Sequence, residues 1–195
     1  WVLPRSPMTR PTLGPFVLDE PIGQGGMGAV WRGVHGASGT SVAVKVLSPK
    51  AGQQRTKALR NEVQAVARLH HRGIVLLLDY GEVDEAAEEA SEGALRAGSP
   101  YFVMELASGR TLAEQAVPWT WTSLRNTLVS TLDALAHAHA REVIHRDIKP
   151  ANILVCTAAD ERPGLKLSDF GIAHALDDSP DRSGPTVAGT LHFMA

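Results

Sequence analysis

A single cysteine, Cys156, stands in this chain of 195 residues. One thiol closes no internal disulfide and cannot build a cysteine-based zinc site. Charge of one sign is also lacking: 19 Lys and Arg against 21 Asp and Glu leave a formal net charge of −2. Such a balance makes no global electrostatic case for nucleic acid or an anionic membrane. Long apolar runs are missing as well; GIVLLLDYG, residues 73–81, is among the longest and is far too short to cross a bilayer. The opening WVLPRSPMTRP lacks the apolar stretch of a signal peptide. No internal repeat is evident. The remaining bulk numbers, 44% hydrophobic and 21% charged, are those of a soluble globular protein. The length suffices for one domain with a real core, built as two lobes. The expected setting is cytoplasmic, either free or as the intracellular domain of a longer membrane protein.

Residues 1–15 hold four prolines and read as a loose leader. From Phe16 to Leu47 the pattern is strand-like, alternating around the Gly-rich GQGGMG and a second turn, HGASGT. Residues 53–70 are expected to be helical, because Leu59, Val63, Val66 and Leu69 recur at spacings of three and four. GIVLLLDYGEV and PYFVMEL read as two further strands. Between them, DEAAEEASEGALRAGS at about 84–99 is acidic and without aromatics, and reads as a solvated, partly disordered insertion or a short helix. Residues 122–142 read as a long helix with Leu124, Leu128, Leu132 and Leu135 as its apolar stripe. The strands NILV and LKLSDFG follow, separated by a turn at DERPG, and residues 172–195 read as a long loop. Trp119 and Trp121 are expected to pack around the start of the long helix, and Cys156 to be a small buried apolar residue.

VIHRDIKPANILV, residues 143–155, packs five charged or strongly polar side chains between apolar flanks. Buried charge is costly unless it is paired or bound. Something charged is therefore expected against it. GQGGMG places Gly23, Gly25 and Gly28 in G-x-G-x-x-G spacing. A dinucleotide fingerprint would need a helix straight afterwards, whereas the strand-like AVWRGV follows. A glycine hairpin over nucleotide phosphates suits that context better. A plain turn is the structural alternative. Lys45 ends an apolar strand, and is either a surface lysine or one that reaches phosphates with Glu62 as its partner. Asp169 in SDFG could ligate a divalent ion, while Asn152 and Asp147 are unremarkable singly.

The order of these elements carries the weight: Gly loop, strand Lys, helix Glu, HRDIKPAN and DFG. From Phe16 to Ala195 the chain resembles the eukaryotic-type protein kinases, and DIKPAN is similar to the serine/threonine branch, most like its bacterial members. The resemblance implies an α+β, two-lobe fold. A small lobe of antiparallel strands plus one helix would span 16–107, and an incomplete, mainly helical large lobe would span 108–195 and end in the activation segment. It implies transfer of the ATP γ-phosphoryl group to a Ser or Thr hydroxyl. Asp147 would orient that hydroxyl and accept its proton, and Lys149 would offset charge on the γ-phosphate. Asn152 and Asp169 would hold Mg2+, or Mn2+ in its place. Lys45, positioned by Glu62, would fix the α- and β-phosphates, and Ile22, Gly23, Gln24, Gly25, Gly26, Met27 and Gly28 would cover the nucleotide. Val30, Ala43 and Leu154 would sandwich the adenine. Met104 would stand behind it, and Glu105 and Ala107 would offer backbone groups to its edge. Arg146 would pair with a phosphate on Thr186, and Thr190 would bond towards Asp147 and Lys149. His145 and Phe170 match an internal hydrophobic spine; His137 and His139 read as packing or surface residues.

The implied partners are a protein substrate bearing Ser or Thr, including the chain itself in autophosphorylation, with no nucleic acid and no membrane segment. Two departures stand out. Arg72-Gly73 replaces the family's common Pro-Asn, and the sequence stops at Ala195, inside what looks like the Ala-Pro-Glu motif. A partial catalytic domain is therefore expected. The competing readings are a non-catalytic nucleotide-binding or interaction module and a small-molecule phosphotransferase of related fold. Intact Lys45, Asp147 and Asp169 speak against the first, and Arg146 with VAGTLHFMA against the second.

Overall fold

A computed structural model describes residues 10–25, 28–48, 61–107, 109–115, 119–158 and 160–170. Gly26, Met27, Leu59, Gly171, Thr186 and Thr190, and the expected loop 172–195, lie outside those residues. The chain divides into two units, Trp1–Lys50 with Leu78–Leu106, and Ala51–Leu77 with Ala107–Ala195.

The first unit is built on a six-stranded sheet in the order β1-β2-β3-β4-β6-β5. The strands are β1 (Thr12–Leu13), β2 (Phe16–Gly25), β3 (Gly28–His35), β4 (Ser41–Leu47), β5 (Leu77–Glu82) and β6 (Pro100–Glu105). In β4, SVAVKVL, alternation decides the faces. Val42, Val44 and Val46 point into a core with Leu13, Phe16, Leu18, Tyr101 and Val103. Ala43 and Lys45 therefore take the opposite face. The leader is not wholly loose: Thr12 and Leu13 pair with Val17 and Phe16, and Leu13 is buried. Two residues are too few to show a period in sequence, but one buried leucine closes the sheet edge.

The insertion is also better ordered than its composition suggests. Helix α2 (Glu85–Ala90) starts at Asp84, whose Oδ1 accepts a hydrogen bond from the Ala87 amide at 2.7 Å. Such an N-cap is worth about 1 kcal/mol. Behind it, Glu88 Oε2 accepts from the Ala97 amide at 3.1 Å, and Ala87 and Leu95 are buried in the first core. The acidic face is solvated, while two apolar residues anchor the segment.

The second unit contains helix α1, described over 61–67, the three-stranded sheet β7-β8-β9 and helix α3 (Trp121–His139). Its strands are β7 (Arg110–Thr111), β8 (Ile153–Cys156) and β9 (Gly164–Leu167). Placing α1 here departs from a small lobe running unbroken over 16–107. The reason is packing: Val66, Leu69 and Ile74 share a core with Ala134, Ala138, Val143, Ile153, Leu167 and Phe170. The loop after α1 is stitched to β9. The Leu167 amide donates to the Gly73 carbonyl at 2.8 Å, and the Val75 amide to the Leu167 carbonyl at 2.9 Å. Arg162 Nη2 donates to the His71 carbonyl at 2.6 Å, and His71 Nε2 faces Asp133 Oδ2 of α3 at 3.2 Å. A Cβ at Gly73 would stand 3.2 Å from the Ala134 Cβ, so glycine allows the close approach where the family commonly has Asn.

Helix α3 buries a face other than its leucine stripe. Thr131, Ala134 and Ala138 are buried, and Leu135 is half-buried. Leu124, Leu128 and Leu132 are exposed, the last two by 51% and 62%, as are Trp119 and, by 74%, Trp121. The small alanines let the helix approach β9 closely, which the larger leucines would not. The expectation that both tryptophans pack around the helix start is corrected for Trp121; Trp119 is about half exposed.

Helix α3 ends in a Schellman-type turn, with the Val143 amide donating to the Ala138 carbonyl at 3.0 Å and Glu142 at φ +61°. That position favours glycine. Glu142→Gly removes roughly 1–2 kcal/mol of left-handed strain against about 0.4–1 kcal/mol of extra unfolded-state freedom. Glu142 is exposed and loses little packing. The expected outcome is a melting temperature raised by roughly 2–4 °C, read by calorimetry.

Candidate active site

Strand register gathers the first unit's candidate residues. Val30 pairs with Lys45, Lys45 with Phe102, and Ala43 with Met104. Directly paired residues share a face, as do residues two apart. Val30, Ala43, Lys45 and Met104 thus lie on the sheet face opposite the valine core. Glu105 pairs with Val42 at the end of β6, with Ala107 just beyond it. Ile22 and Gly23 lie on exposed β2, and Gly23 pairs with Val30, Gln24 with Ala29 and Gly25 with Gly28. Gly28 is obligatory in this geometry. Its φ is +142°, and a Cβ there would collide with the Val46 carbonyl oxygen.

The second unit assembles the residues of HRDIKPAN into one hydrogen-bonded loop. Lys149 Nζ donates to Asp147 Oδ2 at 2.7 Å. Asn152 is buried, and its Nδ2 donates both to the Asp147 carbonyl at 2.8 Å and to Asp147 Oδ2 at 3.0 Å. Those two bonds fix the Asn152 amide, leaving Oδ1 as the atom turned away from Asp147. A short 3-10 turn, Pro150–Asn152, begins after extended Lys149 and aims these side chains. His145 is buried between Phe170, with ring centroids 4.5 Å apart, and the Ser168 carbonyl at 2.9 Å. Burial holds its pKa below the ordinary histidine value, more than its hydrogen bond to Ser168 raises it. The neutral ring therefore donates from Nε2 to Ser168, and Nδ1 accepts from the Asp147 amide at 3.4 Å. Two non-glycine residues here have left-handed backbone, Arg146 at φ +63° and Asp169 at φ +58°.

Arg146 Nη1 donates to Glu62 Oε1 at 2.8 Å. The structure thus brings together two candidates that the sequence assigned to different partners. Leu154 lies in β8 opposite Thr111 and Lys166. Cys156 is buried, as expected. His137 stacks on His71 with centroids 4.8 Å apart, and burial first, then Arg141, lowers its pKa. A cavity of about 300 Å³ opens between α3 and β8, lined by Leu112, Trp119, Asn126, Thr127, Val155 and Leu165. Among the described residues, none of those that the resemblance assigns to catalysis, nucleotide or metal lines it. Sequence reading missed Ser168, Arg162 and the His71–Asp133 pair, whose partners lie too far along the chain for local patterns to reveal.

Among the described residues no cluster of three or more His, Cys, Asp or Glu side chains could hold a metal alone. The oxygen donors of Asn152 and Asp169 suit magnesium instead, which keeps waters and shares its coordination between one or two protein oxygens and substrate phosphates. No helix among the described residues is long and apolar enough to cross a membrane.

A family model described as the protein kinase domain matches residues 16–195. The chain is 37% identical over 196 residues to the serine/threonine-protein kinase PknA of Mycobacterium tuberculosis, covering 97% of this chain and 43% of that protein. It is 32% identical to the serine/threonine-protein kinase Pkn1 of Myxococcus xanthus, covering 98% of this chain and 26% of that one. The chain thus spans less than half the length of these relatives. The crystal structure of the Mycobacterium tuberculosis PknI kinase domain superposes with a TM-score of 0.67 at 24% identity, over 84% of this chain and 62% of that domain. Its fold agrees with the two-lobe, α+β architecture. A matching family model over residues 16–195, joined to relatives of such identity, makes this chain a member of the protein kinase family.

Proposed function

We propose that the chain carries the ATP-binding and phosphoryl-transfer residues of a serine/threonine protein kinase. The observation that carries this reading is the Asp147–Lys149–Asn152 arrangement, in which one carboxylate oxygen accepts from both an ammonium and an amide. Such an arrangement holds the Asp147 carboxylate in one orientation, as positioning of a nucleophile requires. Asp147 receives the proton of the substrate Ser or Thr hydroxyl while that oxygen bonds to the γ-phosphorus of ATP and the bond to the β-γ bridging oxygen breaks. Lys149, close to Asp147, meets the charge of the transferred group. Asn152 and Asp169 would hold Mg2+, which neutralises phosphate charge when bound. On the first unit, Lys45 would meet the α- and β-phosphates, Val30 and Ala43 would contact the adenine, and Gly23, Gly25 and Gly28 would cover the phosphates.

The substrates are proteins with accessible Ser or Thr, including the chain itself, and the setting is cytoplasmic. Regulation belongs to the same reading. Arg146 is 44% exposed on its side chain and already binds a carboxylate, so a phosphorylated Thr186 would compete with Glu62 for it. The experiment uses a chain carried past Ala195 over the remaining domain, with γ-labelled ATP, Mg2+ and a Ser- and Thr-bearing protein. Label in phosphoserine or phosphothreonine is expected. Nucleotide binding without any transferred label would instead favour the non-catalytic module.

A further inference from the structure

We infer that the Ser168 hydroxyl is a positioning group for the divalent-ion site, binding the segment before Asp169 to the backbone of Asn152; this rests on the kinase reading above. Ser168 is held at three points. Its amide donates to the Asn152 carbonyl at 2.9 Å, its Oγ donates to that same carbonyl at 3.2 Å, and its own carbonyl accepts from His145 Nε2 at 2.9 Å. Asn152 in turn donates to Asp147, and the Asp147 amide donates to His145 Nδ1. The links close a circuit, His145 to Ser168 to Asn152 to Asp147 and back to His145. Three of its four members come from the HRDIKPAN motif, and Ser168 is the fourth.

Backbone strain explains why such a circuit is needed. Asp169 is non-glycine at φ +58°, and such residues persist only where their surroundings fix them. On one side Phe170 is buried against the His145 ring. On the other side stands Ser168. The side-chain bond gives the Asn152 carbonyl a second donor, so rotation of the Ser168–Asp169 segment breaks two bonds to one atom. The two oxygen donors proposed for the ion are thereby tied through a single carbonyl. Alanine at 168 keeps the backbone bond and loses only the hydroxyl. Threonine keeps a hydroxyl at the same position.

The test uses the extended chain, unsubstituted and as Ser168→Ala and Ser168→Thr. Binding of Mn2+ to the complex with a non-hydrolysable ATP analogue is followed by electron paramagnetic resonance, and binding of the metal-free analogue by calorimetry. Loss of one neutral hydrogen bond predicts Mn2+ affinity weakened roughly two- to tenfold in Ser168→Ala, with metal-free nucleotide affinity unchanged and Ser168→Thr restored to the unsubstituted value. Equal Mn2+ affinity in Ser168→Ala, or no restoration by threonine, overturns the inference while leaving the kinase reading intact. An unsubstituted chain that binds no Mn2+ with the analogue overturns the metal assignment of Asn152 and Asp169, and this inference with it.

Discussion

Asp147→Asn, made in a chain that covers the whole catalytic domain, is expected to lose phosphoryl transfer by at least about a hundredfold, the lower range for removing a positioned base. Nucleotide affinity is expected to stay near the unsubstituted value. In the proposed function Asp147 meets the substrate hydroxyl and not the nucleotide. The substitution is also nearly isosteric. An asparagine Oδ1 in place of Asp147 Oδ2 can still accept from Lys149 and Asn152, so the loop keeps its shape. What disappears is the proton acceptor and the negative charge that faces Lys149. Label transfer and nucleotide binding are measured separately. Unchanged turnover would remove Asp147 from the reaction, whereas lost binding would show that the loop had collapsed.

The second large effect concerns α3. Leu124, Leu128, Val129 and Leu132, with Trp121, leave an apolar surface along one side of the helix. Surfaces of this kind favour association. Residues 1–195 alone are expected to self-associate and to be poorly stable, and Leu128→Ser with Leu132→Ser to shift them towards monomer without lowering the melting temperature. In a chain carried past Ala195 the same pair is expected to be strongly destabilising. There each leucine would be covered, and losing a buried leucine side chain costs about 2–5 kcal/mol. Sedimentation and calorimetry on the four proteins test both halves. A monomeric, cooperatively melting 195-residue chain would contradict the first half, and an unaltered melt of the substituted longer chain the second.

Much of the architecture was legible in the sequence because its signals are local. SVAVKVL declares its two faces by alternation, and register then sets Val30, Ala43, Lys45 and Met104 on one of them. The order of GQGGMG, VAVK, HRDIKPAN and DFG pointed to the family, and the family model over 16–195 agrees. Where local signals conflicted with tertiary packing, packing won. The α3 stripe is strongest in leucine, yet alanines face the core because β9 lies too close for larger residues. The acidic insertion has no aromatic and little periodicity, but Asp84 caps its helix and Leu95 buries itself. The circuit through Ser168 was invisible for a different reason. It depends on a serine whose three bonds reach residues distant in the chain, and no composition or spacing encodes that.

The stitching of the loop after α1 also governs how this molecule can be dissected. The first unit is discontinuous in sequence, since residues 51–77 leave it and return at Leu78. A fragment ending at Ala107, the boundary that the family resemblance implies, would keep α1 but discard β8, β9 and α3. Val66, Leu69 and Ile74 would then lose Ala134, Ala138 and Leu167 as neighbours. His71 would lose both Asp133 and Arg162. A sound excision of the first unit's sheet must instead replace 51–77 with a linker. Conversely, the HRDIKPAN loop can be studied apart only if those residues travel with it. Fragments of such proteins are therefore better cut along shared cores than along the order of their motifs.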